Sequence, residues 1–171
     1  QKQRIAIAAA LSDEPDVILL DEPFSNLDRP MKVSIRHEII SMLRAAEVTV
    51  LLVTHDPTDA LSAADRIIIM EKGRLAQIDT PSDLYQKPNG VYTGKFLGPI
   101  NEVKIDTETR LVRPENMMIN PTGQMEGTVV RSLYFGMHFH TYVESDQAEG
   151  EVLLYSDESI KGGKIIRFSV K

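Results

Sequence analysis

Val17-Ile18-Leu19-Leu20-Asp21-Glu22-Pro23 is the stretch whose reading decides how the first half of this chain folds. Four consecutive apolar residues, too few for a helix and without alternation, predict a strand covered on both faces, as in a parallel sheet. Asp21 and Glu22 then fall at the carboxyl end of that strand, the edge at which open α/β sheets bind ligands. One carboxylate there can hold Mg2+, usually through water, and the other can orient a water for attack on a phosphoryl group. Taken alone, an Asp-Glu pair before proline is more often a solvated turn.

The neighbouring segments change that balance. Residues 3–11 are strong helix formers, and Ser12-Asp13-Glu14-Pro15-Asp16 supplies a stop and a turn. After the strand, Asp28-Arg29-Pro30 reads as a helix start, with Asp28 a candidate N-cap. Met31, Ile35, Ile39, Met42, Leu43 and Ala46 follow at helical intervals, with Lys32, Arg36 and Glu47 off that stripe. A second apolar run, Val48 to Val53, ends at Thr54-His55-Asp56 and completes a β-α-β unit with parallel strands. His55 thus reaches the same sheet edge, where an imidazole can meet a phosphate oxygen or an attacking water. Pro57 to Ala64 reads as a short helix, and Ile67 to Met70 as a third strand. Lys72-Gly73 turns that strand into Arg74 to Ile78 as a hairpin.

The chain has 171 residues, 42% hydrophobic and 26% charged, which fits one globular domain or two small ones and argues against disorder. Net charge is −6, shared equally between residues 1–99 and 100–171, so neither part is built electrostatically for nucleic acid. With no cysteine there is no disulfide scaffold, zinc-thiolate site or thiol nucleophile. No apolar run approaches the length of a membrane-spanning helix. Gln1 opens directly on a helical pattern, so the chain reads as a piece of something longer.

Residues 88–99 carry three Gly and two Pro, and read as an exposed linker at which a protease would cut first. Beyond them the period changes from helical to two, in residues 126–131, 138–143, 151–154 and 165–170. The expected organisation is an α/β part over residues 1–87, a linker over 88–99, and a small all-β barrel-like domain over 100–171.

The ordered constellation of residues 17–56 strongly resembles the ATP-binding subunit of ABC transporters, a partial P-loop NTPase fold with a mostly parallel sheet and flanking helices. Val17-Ile18-Leu19-Leu20-Asp21 resembles the Walker B strand, Glu22 falls on the catalytic glutamate, Ser25-Asn26-Leu27-Asp28 is similar to the D-loop, and His55 matches the switch histidine. Gln1-Lys2-Gln3-Arg4 resembles the end of the signature motif, and Ala9 stands where the family commonly has Arg. Leu111-Val112-Arg113-Pro114-Glu115-Asn116 resembles an element of the TOBE domain that follows the ATPase domain in importers, with Phe96-Leu97-Gly98 similar to its lead-in. His138 and His140 alternate on one strand face, where two histidines without a third ligand read as a half-exposed face rather than a metal site. Met117-Met118 reads as core filling.

The P-loop pattern G-x-x-x-x-G-K-[ST] is absent from these residues. Gly90 to Lys95 has only three residues between its glycines, and Gly162-Gly163-Lys164 has Glu158 and Ile165 where Gly and Ser or Thr belong. Without that cradle little holds the β- and γ-phosphates, so the chain alone is expected to be inactive.

The resemblance implies an importer ATPase using ATP and Mg2+, with Asp21 on the metal, Glu22 and His55 catalytic, and Gln1 and Asp28 at the nucleotide across a head-to-tail dimer. It further implies a second ATPase subunit, transmembrane permease subunits, and indirectly a periplasmic or lipid-anchored solute-binding protein. Such a subunit sits on the cytoplasmic face of the membrane through the permease. The short β segment leans towards ferric iron, a polyamine or a small anion rather than a sugar. Two other readings stay open: a ligand-sensing module on a scaffold ATPase remnant, and an ABC ATPase working without a membrane partner.

Overall fold

The computed structural model of the protein describes residues 2–25 and 27–171, with the backbone alone for residues 2–4, 29 and 30. In chain order the elements are α1 (Lys2–Ser12), β1 (Val17–Asp21), α2 (Arg29–Ala45), β2 (Thr49–Val53), α3 (Pro57–Ala63), β3 (Ile67–Glu71) and β4 (Arg74–Asp79). They continue as α4 (Pro81–Gln86), α5 (Val91–Leu97), β5 (Asn101–Ile105), β6 (Glu108–Val112), a 3-10 turn (Pro114–Asn116), β7 (Met117–Ile119), β8 (Met125–Tyr134), β9 (Phe139–Glu144), β10 (Val152–Ser156) and β11 (Ile165–Val170). The chain divides into two compact units, residues 1–68 with 78–82, and residues 69–77 with 83–171.

In the first unit β1 and β2 pair in parallel, from Val17 opposite Thr49 to Asp21 opposite Val53. The helix between them opens at Asp28, whose backbone is extended (φ −62°, ψ 142°) and whose carbonyl accepts the N–H groups of Met31 and Lys32. Asp28 holds the N-cap position by backbone geometry, without a side-chain cap bond. Of the stripe read from the sequence, Ile35, Ile39 and Leu43 of α2 bury against Ile7 of α1, Ile18 of β1 and Phe24, whereas Met31, Met42 and Ala46 are exposed. Covering of both strand faces is not what the structure shows. Ile18, Leu20, Val50 and Leu52 face α1 and α2, whereas Val17 and Leu19 are 60% and 65% exposed, and Leu51 and Val53 are exposed beside them. A continuous apolar run specifies strand but not what lies over its second face, and among the described residues nothing covers it.

In the second unit Lys72 and Gly73 turn with positive φ, 49° and 75°, the conformation a two-residue hairpin turn demands. The β-domain is a five-stranded antiparallel sheet in the order β10-β9-β8-β11-β7. A register shift between Val129 and Arg131 bends the long strand β8, and β7 and β10 come together so that the sheet is nearly closed. Val103, Val129, Val143, Val152, Leu154, Ile166 and Phe168 fill its interior with Met117 and Met125. Asn101 bridges the seam: its buried amide accepts the Leu153 N–H at 2.8 Å and donates to the Leu153 carbonyl at 2.9 Å and to the Met117 sulfur at 3.0 Å. One amide side chain thereby satisfies both groups of a strand residue.

Residues 88–99, expected as an exposed linker, contain helix α5, with Thr93, Gly94 and Leu97 buried. Arg113, itself only 2% exposed, explains this. Its guanidinium donates to the carbonyls of Tyr85, Gly94, Gly98 and Pro99 at 2.8–3.0 Å and lies 4.0 Å above the Tyr85 ring. Burial lowers its pKa, and burial together with a bond donated to Glu115 pushes the Tyr85 hydroxyl up to about 12. Gly and Pro mark irregular backbone, but a cation four carbonyls deep organises it. Its Nη2 has no partner among the described residues. Arg113→Lys keeps the charge and loses the fork, and should lower stability by about 2–3 kcal/mol, since several buried carbonyls lose their donor. Urea denaturation measures the loss, and limited proteolysis should cut residues 88–99 in the variant while sparing the parent.

Candidate functional site

Parallel pairing places the ends of β1 and β2 side by side, because Asp21 is the register partner of Val53. Asp21 is the exposed last residue of its strand. The chain then turns sharply: Glu22 has φ 47°, left-handed backbone that a non-glycine residue adopts at a cost of about 1 kcal/mol or more. Three bonds hold that conformation. The Glu22 N–H donates to the Val53 carbonyl at 2.9 Å, and the Glu22 carbonyl accepts from the N–H and hydroxyl of Ser25.

The turn aims the Glu22 side chain across to the end of β2. Its Oε1 accepts the backbone N–H of His55 at 2.9 Å and meets His55 Nδ1 at 2.6 Å. With a carboxylate as acceptor, Nδ1 carries the proton, and Nε2 is left on a ring whose side chain is 79% exposed. Both bonds fall on one carboxylate oxygen, so the other has no partner among the described residues. The structure therefore joins two residues 33 positions apart that the sequence placed on one sheet edge. Of the other residues singled out from the sequence, Asp28 lies at the start of α2, and Gln1 and Asn26 fall outside the described residues.

A second group around His55 was not anticipated. Lys32 and Arg36, one turn apart on α2 and off its apolar stripe in the sequence, have side chains only 18% and 12% exposed. Lys32 Nζ contacts Asp56 at 2.5 Å and Asp59 at 2.9 Å, and Arg36 contacts Asp59 at 2.7 Å. Asp56 also caps α3 by accepting the Thr58 N–H at 2.8 Å, while its own N–H donates to the Thr54 hydroxyl. The signal available in the sequence was Asp56-Pro57, an N-cap with proline in the first turn, followed three residues later by Asp59.

His138 and His140 lie in the β-domain, stacked on each other, with Phe135 stacked on His140 and the Tyr155 ring tilted against both. Burial, and the neighbouring His138, lower the His140 pKa. Among the described residues no three His, Asp or Glu side chains cluster so as to hold a metal ion, and no helix is long and apolar enough to cross a membrane.

Comparison with known proteins bears on both units. The TOBE domain family matches residues 111–166. A Fe(3+) ions import ATP-binding protein of Rhodococcus jostii is 37% identical over 175 residues, 89% of this chain and 51% of that protein. A spermidine/putrescine import ATP-binding protein of Mesoplasma florum is 35% identical over 85% of this chain and 50% of its own length. Another of the same name, from Clostridium novyi, is 32% identical over 99% of this chain and 56% of its own. Over most of its length this chain is homologous to the ATP-binding subunits of ABC importers. A solved structure described as a metal-chelate type ABC transporter in an inward-facing conformation aligns with a TM-score of 0.48 at 24% identity, covering 66% of this chain and 44% of that one. The chain spans about half the length of the curated relatives it matches.

The ion cluster around Asp56 is pH-sensitive with a definite sign. The bond from Lys32 holds the Asp56 carboxyl at about 2, below its ordinary 3.8. A depressed carboxylate contributes stability above its unfolded value and loses it as pH falls through the folded one. Lys32 is raised above 10.5 by the same partners, so its share persists to higher pH. The shift corresponds to roughly 2 kcal/mol, discounted to about 1 kcal/mol because Asp56 is a third exposed. Urea midpoints should fall between pH 4 and pH 2, and less steeply in Asp56→Asn.

Proposed function

We propose that this chain is the part of an importer ATP-binding subunit that carries the water-activating and switch residues together with the TOBE-type domain. The single observation supporting this reading is the Glu22 carboxylate bonded twice to His55 at the shared end of two parallel strands. ATP with Mg2+, when bound, supplies the electrophilic γ-phosphoryl group and neutralises its charge. The residues present fit such a partner in part: Asp21 is one exposed carboxylate at the strand end, and Mg2+ uses one or two carboxylates beside phosphate and water.

In this reading Glu22 uses the oxygen not engaged by His55 to orient the attacking water and accept its proton. His55, its Nδ1–H committed to Glu22, presents the Nε2 lone pair to an O–H of the attacking water beside the γ-phosphate. Asp21 holds the metal through water, Asp28 bridges a head-to-tail pair of subunits, and Gln1 belongs to the signature facing the partner's nucleotide. The subunit lies on the cytoplasmic face of the membrane against permease subunits, served indirectly by a solute-binding protein. Iron and polyamines are named in the relatives, which favours one of these as the solute over a sugar.

Glu22→Gln in the intact subunit keeps an acceptor for the two His55 donors and removes the base. Phosphate release should slow about 100-fold or more while ATP binding persists, and an unchanged rate would remove Glu22 from the role. The 171-residue chain by itself, which has no G-x-x-x-x-G-K-[ST] pattern, should show no micromolar affinity for Mg-ATP in calorimetric titration.

A further inference from the structure

His55 is the last residue before the Asp56 cap of α3, and both of its bonds to Glu22 require that the start of α3 be held in one place. The backbone has limited means to do this. β2 ends at Val53, α3 is seven residues long, and the Thr54 hydroxyl and the Asp56 cap tie the turn only to itself. Besides the burial of Ala60 and Ala63, the polar connection to the rest of the unit comes from α2, through the Lys32 ammonium shared between Asp56 and Asp59 and the Arg36 guanidinium on Asp59. Asp59 is only 2% exposed, so its contacts with Lys32 and Arg36 are shielded from water and stronger than surface pairs, whereas the Lys32–Asp56 contact is a third exposed at Asp56.

We infer that Lys32 is a positioning residue for His55: by clamping Asp56 and Asp59 to α2 it fixes the start of α3, and with it the imidazole that donates to Glu22. The functional meaning rests on the reading of His55 and Glu22 given above, whereas the positioning itself is a property of this chain. Lys32 touches neither His55 nor Glu22, and acts through Asp56, the residue next to His55. Arg36 keeps Asp59 paired when Lys32 is replaced, so removing the ammonium loosens the Asp56 end without leaving Asp59 an unpaired buried charge.

The test is the nitrogen spectrum of the His55 ring in this 171-residue chain, read in the parent and in Lys32→Met and Lys32→Arg. In the parent the ring should show the Nδ1–H form fixed by Glu22. Lys32→Met should lose that signature for the averaged tautomers of a free imidazole, while amide signals of β1 and β2 stay in place, and Lys32→Arg should restore it. A fixed Nδ1–H signature in Lys32→Met would overturn the inference, as would its loss in Lys32→Arg with the strands intact. If the methionine variant loses the strand signals, Asp56→Asn, which keeps the helix cap acceptor and discards the charge pairing, supplies the same comparison. It should loosen His55, and an unchanged ring would overturn the inference. None of these readings depends on ATP hydrolysis, so a failure here and a failure of Glu22→Gln are separate results.

Discussion

Two parallel strands in register must finish at the same edge, and the first unit depends on that constraint. The ladder from Val17 opposite Thr49 to Asp21 opposite Val53 fixes where each strand stops. The segments leaving β1 and β2 are therefore neighbours from their first residue. A left-handed residue at Glu22 and the turn at Thr54-His55-Asp56 convert that adjacency into a carboxylate and an imidazole in hydrogen-bond contact. Parallel strands need a crossover, and here α2 also carries the cations that reach α3. Ladder, crossover and polar cluster are consequences of one pairing.

The second unit solves a different problem. A β-domain of this size has a small core and needs its irregular segments tied down. Arg113 does this for residues 85–99 by giving one planar donor set to four carbonyls, and Asn101 does it for the sheet seam by pairing with both backbone groups of Leu153. In each case a buried polar side chain substitutes for a missing backbone partner.

The sequence was most legible where a period or a short polar punctuation carried the information. The strands β1 and β2, the helix α2 and the strands after residue 125 each lie where they were read, because burial imposes those periods directly. Asp21, Glu22 and His55 could be placed on one edge because strand direction follows from the β-α-β order. Less legible were features decided by long-range partners. Lys32 and Arg36 were placed only off the stripe, because a charged residue there gives no sign of an acid on another helix. Helix α5 was hidden by the glycines and prolines around it, since the residue that anchors it lies some twenty positions later. The bare second face of β1 and β2 was misjudged because four apolar residues in a row record what a strand can tolerate, not what covers it.

Asn101 ties the chemical lifetime of the β-domain to one amide. Its nitrogen must be a donor towards Leu153 and Met117, and its oxygen an acceptor for the Leu153 N–H. Hydrolysis of that amide would replace the donor with a charged oxygen facing a carbonyl and a thioether, turning two attractions into repulsions at a buried site. The edges of β7 and β10 would then part, leaving two bare strand borders of the kind that recruit other chains. Deamidation at that one position would thus act directly on the seam of the nearly closed sheet.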